Sequence, residues 1–524
     1  MSLAMTLPGR AATPALRALG GAVILLLAWE LAAQRLGGAY LLAGPVEVAR
    51  WLTENPGLTG RALAVTLWNG AAGFVLGNLV AMLLAGAALI WPRSQPVITG
   101  LSLLVFCLPL VATGPILRVL MGPGNAPLIA LAALAVFYTT LIPLLVGLRA
   151  APAVWFDLVR SYGRGRMAEL RHIRARAALP YLFAGLQIAA PAAFLGAMVG
   201  EFTGAERGLG VLTIRFLRAL DVPGLWAVCS VAATVSILAY AGIGALARAV
   251  LREPPPLILS MPSTERAPHA LVSTALVAAL ALLIWWAGME AMSLNPFFAK
   301  RPGDVLDALL IAPDAAETRA RLGAALSETA IFLLPGYVAG LVIGAALAMA
   351  VTLLPAAGAL VLPLAVALRS VPIVATAPLI VLLLGRGALG TITLVGVMVF
   401  FPTFVACLHG LKQTPGQIRD VFDCFAASRL RRLVDLQIPA MLPAFFAASR
   451  MAVPAAVLAV TVVEWLATGR GIGSLMALSA SLSDYDMLWS CVLVVAVLSA
   501  LGFAAIAGIE RRMLSRLAPE QVRQ

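Results

Sequence analysis

Pro109-Leu-Val-Ala-Thr-Gly-Pro115 and Pro372-Ile-Val-Ala-Thr-Ala-Pro378 are two versions of one heptapeptide, 263 positions apart (372 − 109). The same offset carries Thr66 onto Thr329, Gly73 onto Gly336, Gly77 onto Gly340, Asp157 onto Asp420, Glu201 onto Glu464 and Trp226 onto Trp489. Residues 66–248 lie over 329–511 with no gap. One register held for that long marks a duplicated and fused unit. The chain is therefore expected to act as a pseudo-dimer, with its function built between two similar halves.

The 524 residues are 61% hydrophobic and 12% charged, with mean hydropathy +0.98. Soluble domains carry about 25% charged residues, so the chain reads as an integral membrane protein. A bilayer core needs roughly 20 apolar helical residues to cross it. Six such runs occur per half: 18–36, 63–91, 96–117, 126–148, 178–202 and 223–250, then 268–290, 326–354, 358–384, 389–410, 440–465 and 486–510. Long continuous apolar runs exclude a transmembrane barrel, whose strands alternate in short segments. The expected fold is an all-α polytopic membrane protein with twelve transmembrane helices in two parallel six-helix repeats.

The net charge is +13, and its distribution gives topology. The loop 149–177 holds seven arginines, Arg166 among them, and its copy 411–439 holds Lys412, Arg419, Arg429, Arg431 and Arg432. Together with basic residues in both tails, these segments fall on one side of an alternating bundle. Lys and Arg mark the cytoplasmic side, so both termini are expected in the cytoplasm and no nucleic-acid partner is implied. The five cysteines and three histidines show no metal-ligand or disulfide spacing, and no catalytic constellation is apparent. The first span is expected to be retained rather than cleaved, because Trp29, Pro45 and Val48 recur as Trp286, Pro302 and Val305.

Residues 1–251 form the first repeat and 268–524 the second. Between them, 252–267 is rich in proline and charge and reads as a cytoplasmic linker. Parallel repeats are related by an axis along the membrane normal, which places a solute path between the halves. Pro109 and Pro115, then Pro363, Pro372 and Pro378, are expected to kink the third span of each half. Gly73 and Gly77, with Gly336, Gly340 and Gly344, read as close helix-packing positions.

The segments 157–180 and 420–443 occupy the same place in each half. In the second, Val421, Phe422, Phe425, Leu430 and Leu433 recur at near-helical spacing among Arg429, Arg431 and Arg432. An amphipathic surface helix is expected there, with Pro439 and Pro443 marking the start of the next span. This pair of loops resembles the EAA loop of ABC importer permeases: Asp157 and Asp420 fall at the acidic position, and Gly163 and Ala426 at the glycine position. Ala426-Ala427-Ser428 is the small-residue stretch, Pro439 and Pro443 are the downstream prolines, and only Pro180 is kept in the first copy, where Arg176 replaces the other. A narrower resemblance, to nitrate/sulfonate/taurine-type permeases, rests on Arg369–Ile380, Leu384–Gly387, Phe400-Phe401-Pro402 and Glu464…Gly471-Ile-Gly473. Those permeases usually pair two single-half chains, whereas here the copies are fused.

The resemblance implies a type I ABC importer permease in a bacterial inner membrane. It implies a cytoplasmic ABC ATPase dimer docked on the two loops, and a periplasmic or lipid-anchored substrate-binding protein. The remaining partner is membrane lipid. No Gly-x-x-x-x-Gly-Lys-Ser/Thr loop occurs in the chain, so ATP-Mg belongs to the partner and no cofactor or enzymatic role is expected here. The expected cargo is a small anion such as nitrate, a sulfonate or taurine. The alternatives are an iron(III) or thiamine-type fused permease, and a twelve-helix secondary transporter. Candidate path residues are Arg369 with Pro372 three positions on, Arg450, Glu201 and Glu464, since ionisable groups inside a span are costly and mark function by default. For the arginines the competing reading is a structural ion pair. For the glutamates it is a carboxylate bonded to the amides of the following loop.

Overall fold

Each long apolar run closes its hydrogen bonds within itself, the solution a bilayer demands. The computed structural model describes residues 23, 26–35, 42–251, 270–354, 373–385, 387–412, 414 and 416–517. In the first half these form α1 (Pro45–Glu54), α2 (Pro56–Ile90), α3 (Gln95–Phe106), α4 (Leu110–Met121), α5 (Ala126–Gly147), α6 (Ala153–Ser161), α7 (Ala175–Phe202), α8 (Leu209–Ala219) and α9 (Val222–Val250). The second half contributes α10 (Ala270–Ala291), α11 (Pro302–Leu310), α12 (Ala315–Leu353), α13 (Ile373–Leu384), α14 (Ala388–Lys412), α15 (Gly416–Cys424), α16 (Ile438–Val463), α17 (Gly471–Leu482) and α18 (Tyr485–Leu517).

Among the described residues, nine helices are long and apolar enough to cross a membrane, and one bent pair makes a tenth. The expected first span is helical over 26–35. Of the ninth, only α13 is described, so Arg369 and Pro372 lie outside the described residues, as does the expected linker 252–267. The third span departs from the single kinked helix expected at 96–117. It breaks between Phe106 and Leu110 and turns through 96°. Pro109 cannot donate a backbone hydrogen bond, and it sits in extended conformation as the residue that starts α4.

The glycines do what their spacing implies. A Cβ on Gly73 would meet Ala132 and the Ile129 carbonyl, and one on Gly77 the Ala133 carbonyl at 2.6 Å. One repeat later, Gly336 faces Val395 and the Ile392 carbonyl, and Gly340 the Gly396 carbonyl at 2.6 Å. These are equivalent atoms, so α2–α5 and α12–α14 are the same close helix pair built twice.

The described ends of the third spans, α4 and α13, pack across the seam as well as within their own halves. In the first half α4 packs against α16, α17 and α18, and in return α13 packs against α7, α8 and α9. One buried cluster runs across the seam, joining Val111, Val199 and Leu225 to Ala377, Leu379, Ala456 and Val460. Apolar side chains from both halves meet in this cluster.

Candidate functional site: paired basic loops and buried charges

Each basic loop folds as two helical segments around a tight turn, rather than as the single surface helix expected. In the first, α6 is followed by Arg166–Ala168 and a π-helical stretch, Glu169–Arg174, that runs into α7. In the second, α15 is followed by Arg429–Arg432 and the π-helical stretch Leu433–Gln437, leading into α16. The turn explains the family's glycine position. Gly163 has φ +69° and Ala426 φ +46°, the left-handed region that disfavours any residue with a Cβ. Ser428 then caps the second segment, accepting from the Arg431 amide at 3.3 Å. Pro439 opens α16, whereas Pro443 and Pro180 lie inside their helices. Asp157 and Asp420 are exposed on the first segments. Arg429 is exposed at the start of its segment, and Arg166 starts the equivalent segment of the first loop.

An ion pair holds each turn closed, and the two pairs have opposite polarity. In the first loop Arg160 Nε donates to Glu169 Oε1 at 2.9 Å. The equivalent positions, 423 and 432, carry Asp423 and Arg432, whose carboxylate and guanidinium meet at 2.5 Å. Arg432 also donates to the Ala427 carbonyl at 3.0 Å. The first loop is further tied to α5, because Arg174 donates to the Leu148 carbonyl at 3.1 Å and lies 4.7 Å above the Phe156 ring.

Both loops turn apolar side chains outward from the same positions. Trp155, Leu158 and Tyr162 are exposed on the first, and Ile418, Val421 and Phe425 on the second. Met167 and Leu430 extend each stripe past the turn. Tyr162 is 75% exposed and Phe425 82%, and a contiguous exposed apolar stripe of this kind marks an interaction surface.

Glu201 and Glu464 stand at matching positions at the opposite end of the bundle. Thr66 donates to Glu201 Oε1 at 2.7 Å, and the Gly210 amide donates to Oε2 at 2.7 Å. Thr66 itself accepts from the Leu209 amide at 2.9 Å. In the second half the Gly473 amide donates to Glu464 Oε2, and the Ile472 amide to Thr329, both at 2.9 Å. Gly208 and Gly471 have φ +133° and +83°, and a Cβ on either would collide with the glutamate. Each carboxylate thus pins a short helix, α8 or α17, to the end of its preceding span. This is the hydrogen-bonded arrangement that competes with a place in the solute path.

Arg450 is buried, 7% exposed, and its guanidinium lies 3.1 Å from Glu510 on α18, itself 5% exposed. The Phe503 ring lies 5.7 Å away. The neighbouring Met451 packs into the first half's cluster around Phe137 and Leu141, so the pair sits beside the seam. The equivalents of Arg450 and Glu510 in the first half are Gln187 and Ala247. Sequence reading found Arg450 but not its partner. The signal was available: where the second repeat gains a cation it also gains an anion sixty positions on (510 − 450). Glu169 was missed for a different reason, since its equivalent is an arginine. Among the described residues no His/Cys/Asp/Glu group has metal-binding geometry.

A repeated bundle of apolar helices with two outward-facing basic loops defines a polytopic membrane transport subunit. The chain belongs to the family described as binding-protein-dependent transport system inner membrane component, whose model matches residues 77–252 and again 340–515. The two matches are offset by 263 (340 − 77), the period of the repeat. The chain is 31% identical to the formylaminopyrimidine transport permease protein of Halalkalibacterium halodurans, over 44% of this chain and 92% of that protein. It is 30% identical to the riboflavin transport system permease protein of Chloroflexus aurantiacus, over 44% and 87%. It is 24% identical to the taurine transport system permease protein of Escherichia coli, over 45% and 86%. Each of these relatives is about the size of one repeat. No solved structure matches the chain. The chain is therefore an ABC transporter permease subunit with two fused halves.

Proposed function

We propose that this chain alone forms the transmembrane pathway of an ATP-driven importer, with each basic loop seating one separate ATPase subunit. The carrying observation is the apolar stripe repeated at positions 155/418, 158/421, 162/425 and 167/430. The turns that present it are closed by ion pairs, so motion of a docked ATPase would pass through the π-helical stretches into α7 and α16. Such stretches favour functional positions. A binding protein would deliver solute to the face opposite the loops, and rocking of the halves about the shared axis would expose the path alternately.

The solute is proposed to be small and to carry an anionic group, as the resemblance to the taurine permease supports. A pyrimidine vitamin precursor is the second reading, favoured by the higher identity to the formylaminopyrimidine permease. Proteoliposomes holding the chain, its ATPase and its binding protein test the proposal. ATP-dependent uptake of the binding protein's ligand is expected, falling at least fivefold with Phe425→Glu together with loss of bound ATPase. Full uptake with a Walker-lysine-inactivated ATPase would instead mark a secondary transporter.

A further inference from the structure

The outer end of the first half contains a pocket that the second half lacks the residues to make. A cavity of about 480 Å³ opens between α2, α4, the start of α5 and the segment after α7. Arg118, on the last turn of α4, lines it with Asn125, Thr203, Glu206 and Arg207. Arg118 is half-buried. Among the described residues no carboxylate lies within ion-pair distance of it, and the nearby Glu206 is exposed and also unpaired.

Glycine makes the room. Gly204 has φ +122°, and a Cβ there would lie 2.5 Å from Arg118 Nη1. A Cβ on Gly114 would collide with the Thr203 hydroxyl. In the second half the equivalent positions hold Val381 for Arg118, Ala377 for Gly114, Leu466 for Thr203 and Ala388 for Asn125. Ala377 and Val381 are buried there in the apolar cluster at the seam, and the partly buried Leu466 packs against it. Polarity continues inward on the same face of α2. Asn69, one turn beyond the pocket-lining Val65, is fully buried with neither amide atom bonded; its equivalent is Phe332.

A partly desolvated guanidinium without a counter-ion favours an acceptor with two oxygens in one plane, which it can bind through paired N–H groups. We propose that this pocket is a one-sided receiving site for the carboxylate or sulfonate group of the imported solute, with Arg118 as the recognising cation and Asn69 as the next polar group inward. The proposal rests on the importer reading above. It gives the solute path two unequal walls, polar in the first half and apolar in the second.

The test uses the complete complex in nanodiscs, without the binding protein, titrated with taurine and separately with inorganic sulfate. Binding of at least one probe is expected, weakened at least tenfold by Arg118→Val, the residue the second half already tolerates at this position. Arg118→Lys should retain part of the affinity. Binding-protein-dependent uptake should fall in parallel while the yield of assembled complex holds. If wild-type complex binds neither probe, or if Arg118→Val binds and transports as wild type does, the pocket is not a solute site. A variant that loses affinity for the binding protein yet keeps both probes also overturns the proposal. Absence of all ATP-driven uptake by the wild-type complex would instead remove the importer reading itself.

Discussion

Arg160 and Glu169 close the first basic loop at 2.9 Å, and the same two positions one repeat later hold the pair with its charges exchanged, Asp423 and Arg432. The bridge is kept while each residue's sign is not. Duplicated copies that drift independently lose such pairs. A reversed pair is what remains when the closed turn is retained and its chemistry is free to change.

Reversal therefore makes a clear prediction. Glu169→Arg alone faces Arg160 with a like charge and should lower ATP-driven uptake by at least twofold. Arg160→Asp with Glu169→Arg installs the second loop's pair in the first, and should restore uptake to near the wild-type rate. Arg160 is exposed while Glu169 is buried, 7% exposed, so the yield of folded protein is measured beside the effect on uptake. Transport and ATP hydrolysis in proteoliposomes report it.

The turn residues differ between loops in a way that strain should reveal. Ala426 holds φ +46°, at a cost of roughly 1 kcal/mol relative to glycine. Ala426→Gly should slow amide exchange across 416–437, and Gly163→Ala should speed it across 153–174. No atom lies within 4 Å of a Cβ at Gly163, so the second effect is conformational and not steric. Hydrogen-exchange mass spectrometry separates the two loops directly.

Arg450 and Glu510 form a buried pair, and removing one member leaves an uncompensated charge costing about 3–5 kcal/mol. Arg450→Gln and Glu510→Ala should each lower the thermal midpoint of the solubilised protein and its yield. The double variant reproduces Gln187 and Ala247, the first half's own solution, and should recover most of both. Transport lost in the double variant at full stability would assign the pair to the solute path. Fluorescence-detected size exclusion after heating measures the first outcome and uptake the second.

Gly77 and Gly340 test the two halves against each other. A Cβ at either would lie 2.6 Å from a backbone carbonyl of the neighbouring helix, contacts that cannot relax cheaply. Gly77→Leu and Gly340→Leu should each prevent accumulation of folded protein, and to a similar degree. Quantified membrane fractions give the comparison.

The repeat, the helical class and the position of the loops were legible because each rests on a pattern that survives in one dimension. Apolar runs, glycine spacing and the 263-residue register need no partner to be recognised. The exchanged pair at 160/169 was hidden because sign, and not position, was the quantity compared. Glu510 was hidden because a carboxylate near the end of an apolar run looks like the edge of a span. The break at Cys107–Pro109 was foreseen only as a kink, since proline states where a helix is weakened and not how far the next segment turns. Arg118 gave no signal of its own, because an arginine close to a span's end reads as an interfacial charge until its neighbours prove to be glycines.

The central claim is that one chain supplies both docking loops and both walls of the path. Native mass spectrometry of the complex purified from membranes through a tag on this chain tests it most directly. The account predicts one copy of this chain with two ATPase subunits. Two copies of this chain bound to two ATPase subunits, with one loop of each left unoccupied, would contradict it.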